Sequence, residues 1–248
     1  MNSKPQKEVS KSGIPILRHQ QAAKPPKKTS YPTEEYLKVL DKHIKKYIGE
    51  AKTVFHELIS EYVHLDVYFI EASKKRNFHT LVTAGMSLLP MNVPPGLESH
   101  RFAELLICLP ASWPLSKEAF KKEANYWPVR QLKMLARLPH VYRTFLYIGH
   151  TVPNGNPPKP LANNTRFDCL LLLPPILFPK EFSSLKINKD KTVHFYALIP
   201  LYPEETAFKL DQGTSKLFRK LDQARVTELV DINRPSLISK KNNKGQAA

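Results

Sequence analysis

Apolar residues recur every three or four positions in a long stretch near the start of the chain, which is the spacing of one face of an α-helix. Thr33, followed by Glu34 and Glu35, fits the N-cap and the acidic first turn of such a helix. The stretch predicts an amphipathic helix of about seven turns, with its apolar face formed by Leu37, Leu40, Ile44, Ile48, Ala51, Phe55 and Leu58.

Beyond this helix the hydrophobic pattern becomes that of β-strands. Apolar and polar residues alternate from Val63 to Phe69, as in a strand with one buried face. Later apolar runs each stop at a proline, which cannot donate to a sheet ladder and therefore fits the end of a strand. These predicted strands are Leu81 to Leu89, Phe102 to Leu109, Phe167 to Leu173 and Val193 to Ile199, with Phe145 to Ile148 as a shorter candidate.

Caps and breaks predict further helices. Ser116 opens one that runs toward Tyr126, and Pro128 opens or kinks another that ends before Pro139. A last helix is predicted from Thr214 to Val230, with an apolar face formed by Leu217, Leu221 and Ala224. Helices and strands in this order predict an α+β domain.

Charge is unevenly distributed along the 248 residues, whose formal net charge is +16. Residues 1–32 hold seven Lys or Arg and one Glu, and residues 239–248 hold three Lys. We interpret these ends as a flexible basic N-terminal arm and a flexible basic C-terminal tail around a mildly basic domain, residues 33–238. The charge suggests a nucleic-acid partner, and non-specific phosphate contact through the ends stays open as an alternative function.

The sequence contains no positive sign of an enzyme. It has no glycine-rich phosphate loop, and the segment that begins Gly85-Met86-Ser87 departs from a nucleophile elbow at Leu89. None of the nine histidines forms HxxxH or HExxH. His56 and His64 lie on different predicted elements, so a shared metal is possible but unsupported by the sequence. We therefore expect no catalytic residue, no cofactor and no metal.

The two cysteines and the apolar runs limit the class of protein further. Cys108 and Cys169 are 61 positions apart within apolar strands, which argues against a disulfide scaffold and indicates small buried hydrophobes. The longest apolar run, Cys169 to Phe178, holds two prolines and is too short for a spanning helix. No secretory signal is recognisable near the start. We expect a soluble, cytoplasmic protein without a membrane partner.

Short segments in the middle of the chain form a recognisable series. They are His79 to Ser87, Ala103 to Pro110 with Trp113 close behind, Trp127 to Arg130 leading to Arg137, Ile148 to Thr151, Phe167 to Pro174, and Asp231 to Ser236. In this order and spacing they resemble the Suppressor of Fused domain in its short bacterial form, over about residues 34–236. The resemblance implies one α+β domain with a mixed, mostly antiparallel sheet flanked by helices.

The resemblance also implies a function, namely binding another protein without catalysis. Animal members bind a transcription factor using a second domain, for which this chain has no room. Bacterial members of the short form are taken to be immunity proteins, or antitoxins, that neutralise a cognate toxin of a polymorphic toxin–antitoxin system. The basic N-terminal extension is not part of the family core.

Ten positions of the resembling motifs are candidates for structural or partner-contacting roles. Gly85 fits a backbone conformation or a close approach that a Cβ would block, and Glu104, inside an apolar strand, must face solvent or have a partner. Both tryptophans are suited to anchor loops, and His150 to orient the Pro-rich loop through hydrogen bonds. The positions are Gly85, Met86, Ser87, Glu104, Trp113, Trp127, Pro128, Gly149, His150 and Thr151.

The partner surface is expected in less patterned, exposed loops, such as Met91 to His100 and Pro153 to Arg166. We expect stoichiometric binding that occludes the active cleft of the toxin. Since the domain is basic, it does not suit mimicry of DNA, and we predict an acidic contact surface on the toxin or binding away from a nucleic-acid groove.

Overall fold

Eight strands form one sheet in the computed structural model, which describes residues 8–19, 29–56 and 62–238. The strands are β1 (Thr53–Phe55), β2 (Asp66–Ile70), β3 (Phe78–Ala84), β4 (Ala103–Pro110), β5 (Thr151–Pro153), β6 (Cys169–Leu173), β7 (Ser184–Lys186) and β8 (Thr192–Leu201). Their order is β1-β2-β3-β4-β8-β6-β5, with β7 paired to β8. Among these pairs β4 with β8 is parallel and the others are antiparallel. The predicted mixed, mostly antiparallel sheet is confirmed.

Helices cover both faces of the sheet: α1 (Glu34–Tyr47), α2 (Glu123–Tyr142), α3 (Pro203–Gln212) and α4 (Thr214–Gln223). Side chains of β4 alternate between the two faces. Leu105 and Ile107 share a core cluster with Trp127 of α2, whereas Leu106 shares one with Leu40 of α1. Because both faces are buried, the strands read as continuous apolar runs rather than as alternating ones.

The first helix is shorter than its apolar spacing predicts. Thr33 is its N-cap as predicted, since its Oγ1 accepts a hydrogen bond of 3.2 Å from Tyr36 N. The helix ends at Tyr47, because the chain turns at Gly49 with φ +143°. Phe55 therefore belongs to β1 instead of the helix, and Leu58 lies outside the described residues.

Prolines mark the ends of two of the predicted strands and not of the others. The strand predicted to stop before Pro174 does end there, since β6 ends at Leu173. Pro110 closes β4, but β8 continues through Pro200 to Leu201. The strand predicted up to Leu89 ends at Ala84, where a turn and a short 3-10 helix follow. The candidate strand Phe145 to Ile148 is a loop in the structure, and the alternating segment Val63 to Phe69 contributes the fully buried β2.

The helices predicted after β4 differ from those observed. Ser116 caps a turn, its Oγ accepting a hydrogen bond of 3.1 Å from Ala119 N, and no α-helix begins there. One continuous helix, α2, instead includes Pro128 and Pro139. Near the end of the chain α3 was not predicted, and α4 stops at Gln223, before Val230. The segment after α4 runs beside β4, where Leu229 forms a parallel bridge to Cys108.

Part of the predicted N-terminal arm lies against α3. Val9 and Pro15 form an antiparallel bridge. Ser12 N donates a hydrogen bond of 3.0 Å to Leu210 O, and Lys11 lies 3.7 Å from the carboxylate of Asp211. The predicted boundary between arm and domain stays a prediction. Within the described part of the chain, no helix has the length and apolar character that crossing a membrane requires.

Candidate functional site

A cavity of about 550 Å³ lies beside the end of β4, between the loop after Pro110 and the segment that follows α4. We call it the β4 cleft. Apolar and amide groups share its lining, with Trp113, Val226, Val230 and Ile232 among the apolar residues and Asn125, Asn164 and Asn233 as amides. Such a lining offers apolar contact together with directional hydrogen bonds, as binding sites do. The cleft is therefore a candidate site for a partner.

Trp113 forms part of the cleft and is held in place by α2. Its Nε1 donates a hydrogen bond of 3.0 Å to Asn125 O, and its ring meets Trp127 edge-on, with 6.0 Å between ring centroids. Trp127 is fully buried under the sheet, and Pro128 follows it within the helix, also buried. Both tryptophans thus join α2 and the loop after β4 to one core.

The opposite wall of the cleft is anchored by a buried ion pair. Arg234 Nη1 and Nη2 each donate a hydrogen bond of 2.6 Å to the carboxylate of Glu205, in the first turn of α3. Tyr202 Oη donates a hydrogen bond of 2.5 Å to Arg234 O. Glu205 is fully buried, so the pair is shielded from solvent and fixes the C-terminal segment to α3. The motif Asp231 to Ser236 carried this arginine, but its acidic partner could not be found from sequence.

A second buried carboxylate lies behind the same wall. Glu228 Oε1 accepts hydrogen bonds from Ile176 N at 2.9 Å and Leu177 N at 2.8 Å. Its Oε2 is buried without a hydrogen-bond partner among the described residues. Burial raises the pKa of Glu228, and this outweighs the hydrogen bonds from backbone N–H groups, which favour the ionised carboxylate and so lower the pKa. This glutamate ties the loop after β6 to the C-terminal segment.

Glu104 is fully buried and has hydrogen-bond partners, so of the two possibilities that the sequence allowed it does not face solvent. Its carboxylate accepts hydrogen bonds from Thr83 Oγ1 at 2.6 Å, from Gly85 N at 3.0 Å, and from Ser87 N and Oγ at 3.0 and 2.5 Å. Tyr36 Oη of α1 in turn contacts Ser87 Oγ. Burial raises the pKa of Glu104, while these hydrogen bonds favour its ionised form. The network joins β3, β4 and α1 inside the molecule, and Glu104 and Ser87 are fully buried.

The turn after β3 requires glycine. Gly85 has φ +134°, and a Cβ there would lie 2.1 Å from His64 O, closer than any real contact. Met86 beside it is fully buried, and Met86 O is 2.9 Å from His140 Nε2. This close approach of backbones agrees with the explanation proposed for Gly85 from sequence.

The motif Gly149, His150 and Thr151 lies near α3 and α4. Gly149 has φ +84°, and a Cβ there would lie 3.2 Å from Thr214 Cγ2. The His150 side chain hydrogen-bonds the backbone of Phe145, in the loop before it, rather than the Pro-rich loop after it. Burial lowers the pKa of His150 to about 4, and the nearby charge of Lys209 adds to this. Lys209 Nζ donates a hydrogen bond of 2.9 Å to Thr151 Oγ1.

The motif positions therefore do not converge on one site. Of the ten, all within the described part of the chain, only Trp113 lines the β4 cleft. Of the two loops expected to carry the partner surface, the loop Pro153 to Arg166 contributes Asn164 to the cleft. The other loop, Met91 to His100, contacts the sheet at its end, because the rings of His100 and of His194 in β8 stack with 4.1 Å between centroids.

The structure also brings together side chains that the sequence left apart. His56 and His64 both lie within 3.2 Å of Asp66 Oδ1, through Nδ1 and Nε2 respectively. Sequence reasoning missed Asp66 as the group between them, although His64-Leu65-Asp66 places two metal-ligating residue types two positions apart. As for the thiols, Cys108 and Cys169 are both buried and unpaired, which confirms their prediction as small buried hydrophobes.

The model of the family described as Suppressor of fused protein (SUFU) matches residues 61–235. No curated protein matches the chain.

Two solved structures share the fold at low sequence identity. A putative SUFU homologue from Neisseria gonorrhoeae FA 1090 aligns with a TM-score of 0.58 and 21% identity, covering 84% of this chain and 97% of that one. A chain of the Sufu–Fu complex crystal structure aligns with a TM-score of 0.54 and 14% identity, covering 81% and 91% of the two chains. At these identities the similarity establishes the fold alone.

Proposed function

The chain belongs to the Suppressor of fused protein (SUFU) family, and from that premise we propose that it acts by binding another protein. Support comes from its similarity in fold to a chain of a crystallised Sufu–Fu complex. The fold offers a scaffold buried on both faces of its sheet, which is suited to present a fixed surface.

We place the partner contact at the β4 cleft because both of its walls are held in fixed positions. Trp113 is held by α2, and the opposite wall is held through Arg234 and Glu205. A preformed cleft needs little ordering when a partner enters, so less of the interaction free energy is lost on binding. Asn233 is exposed at its rim and offers an amide to an incoming peptide segment.

More specifically, we propose a cytoplasmic immunity protein that neutralises a cognate toxin by stoichiometric binding and has no catalytic activity. This rests on the resemblance to the short bacterial form and on the charge of the chain. With a net charge of +16, the protein attracts an acidic partner surface, and this raises the association rate more than the affinity. Steric occlusion of the toxin's active cleft would then block its activity.

Co-expression with each toxin gene adjacent to the gene of this protein tests the proposal. We expect one toxin whose growth inhibition is relieved, and which co-purifies with this chain at a fixed ratio. Asn233→Glu places an anion at the rim of the β4 cleft, where it would repel an acidic partner surface, so we expect it to weaken rescue and co-purification. Gln223→Glu, at the exposed end of α4, adds the same charge outside the cleft and should bind normally. Rescue by no neighbouring toxin would argue against an immunity function, and equal binding by both variants against the cleft.

The basic ends support a second candidate, attachment to nucleic acid, because residues 1–32 hold seven Lys or Arg. Filter binding to a DNA fragment at increasing salt concentration separates the two functions. Affinity that falls steeply with salt and vanishes on deletion of residues 1–32 would favour this alternative. An immunity protein should keep its rescue activity after that deletion.

A further inference from the structure

We propose that His56, His64 and Asp66 form a binding site for a zinc ion at the β1–β2 edge of the sheet. The three residues each offer one ligand atom, and these atoms all lie within 4.8 Å of one another. Two imidazoles and one carboxylate are a donor set typical of zinc sites with an open position. Nothing in the proposed binding function accounts for this cluster, which is separate from the β4 cleft.

Strand pairing explains why the three side chains meet. Phe55, the last residue of β1, pairs with Val67 of β2, so the next step of the antiparallel register places His56 opposite Asp66. His64 precedes Asp66 by two residues, the spacing at which side chains of an extended chain share a face. Asp66 is therefore flanked by one histidine across the strands and one along its own chain.

The distances suit a shared metal ion. His56 Nδ1 and His64 Nε2 are each 3.2 Å from Asp66 Oδ1. Two ligands bound to zinc at about 2.0–2.1 Å in tetrahedral geometry are themselves about 3.3 Å apart. Two of the three edges of the ligand triangle thus already have the length that coordination requires.

The surroundings hold two of the ligands and leave the third accessible. The Tyr31 ring stacks on His64 with 5.1 Å between centroids, and His64 N donates a hydrogen bond of 2.9 Å to Ser30 O. The side chain of Asp66 is 8% exposed, whereas that of His56 is 67% exposed. A metal can therefore enter from the His56 side, where water supplies the fourth ligand.

A lysine of α2, Lys133, lies near enough to the proposed zinc site to interact electrostatically with the carboxylate of Asp66. The site is fully built from the chain's own residues and does not depend on the proposed partner.

Isothermal titration of the full chain, free of any histidine tag, with zinc chloride tests the site. We expect one zinc ion per chain and a higher Tm in the presence of zinc. His56→Ala removes an exposed ring, so the metal-free variant should keep the Tm of the wild type. Its zinc affinity should be at least about tenfold weaker, with a correspondingly smaller Tm increase. Asp66→Asn should show the same loss of affinity.

His100→Ala is the matched control, because His100 belongs to a different histidine pair without a carboxylate between its rings. It should bind zinc like the wild type. Cobalt in place of zinc gives a visible absorption spectrum, which should report nitrogen and oxygen ligands and disappear in His56→Ala. Absence of zinc binding, or binding that His56→Ala and Asp66→Asn leave unchanged, would overturn the proposal. So would equal weakening in His100→Ala.

Discussion

Arg234 and Glu205, 29 positions apart in sequence, form a bidentate ion pair in which both N–O distances are 2.6 Å. Glu205 also accepts hydrogen bonds from Tyr202 N at 3.0 Å and Leu237 N at 2.9 Å, so its two oxygens are well occupied. Arg234 Nη2 donates a further hydrogen bond of 2.9 Å to Pro200 O in β8. The pair thus joins β8, α3 and the C-terminal segment, and it supports one wall of the β4 cleft.

Arg234→Ala should reduce the free energy of unfolding by about 3–5 kcal/mol, because it leaves the buried carboxylate of Glu205 without its counter-charge. Urea denaturation followed by circular dichroism measures the change. Arg219→Ala is the control, since Arg219 is exposed on α4, and it should stay within about 0.5 kcal/mol of the wild type. Equal stability of the two variants would show that the ion pair does not fix the segment.

Gly85→Ala should destabilise the fold by at least about 2 kcal/mol, since the new Cβ would collide with His64 O in addition to the strain of a positive φ. Gly96→Ala provides the comparison. Gly96 has φ +90°, but no atom lies within 4 Å of the place that a Cβ would take, so its substitution carries the backbone strain without the collision. Thermal unfolding of both variants should rank Gly85→Ala clearly lower. A reversed ranking would contradict the close approach.

His150 should make the protein less stable in mild acid. Its folded-state pKa of about 4 lies below the ordinary value of 6.5. As pH falls, this histidine therefore binds a proton in the unfolded chain before it does so in the folded protein. The resulting loss of stability begins near pH 6.5, is complete near pH 4 and amounts to at most about 3 kcal/mol. His150→Gln should therefore lose less stability than the wild type between pH 7 and pH 4.5. Denaturation at both pH values measures this, and identical losses would refute it.

The cysteines should resist thiol reagents in the folded protein. Burial raises the pKa of Cys169 to about 12 and that of Cys108 further still. Neither thiol is then ionised near neutral pH, and neither is accessible. We expect negligible reaction with a chromogenic disulfide reagent until guanidinium chloride unfolds the chain, when both thiols should react. Rapid labelling of one thiol without denaturant would show that its strand opens locally.

Local features were the most predictable part of the fold. Thr33 was recognisable as an N-cap because capping depends on residues a few positions apart. The end of α1 was not, since Ala51 and Phe55 continue the helical spacing while the backbone turns at Gly49. In the same way, Leu217 and Leu221 correctly marked a buried helix face, but α4 ends at Gln223, Arg225 adopts φ +52°, and the following segment forms a bridge to β4.

The candidate sites were less predictable because each combines distant segments. Trp113 could be singled out, but Asn164 and Ile232 meet it only after α2 and the C-terminal segment have packed against β4. His56 and His64 could be noticed as a pair, but their contact with Asp66 depends on the register between β1 and β2. A shift of that register by one residue would turn the side chains to opposite faces.

The sequence by itself determined the family, the mixture of helices and strands, the buried character of both cysteines and the basic charge of the ends, because these follow from residue order and composition. Tertiary structure decided the strand order, the partners of Glu104 and Arg234, the walls of the β4 cleft and the convergence of His56, His64 and Asp66. The physical reason is that burial and pairing act between segments far apart in sequence, and no local pattern specifies which of them will meet.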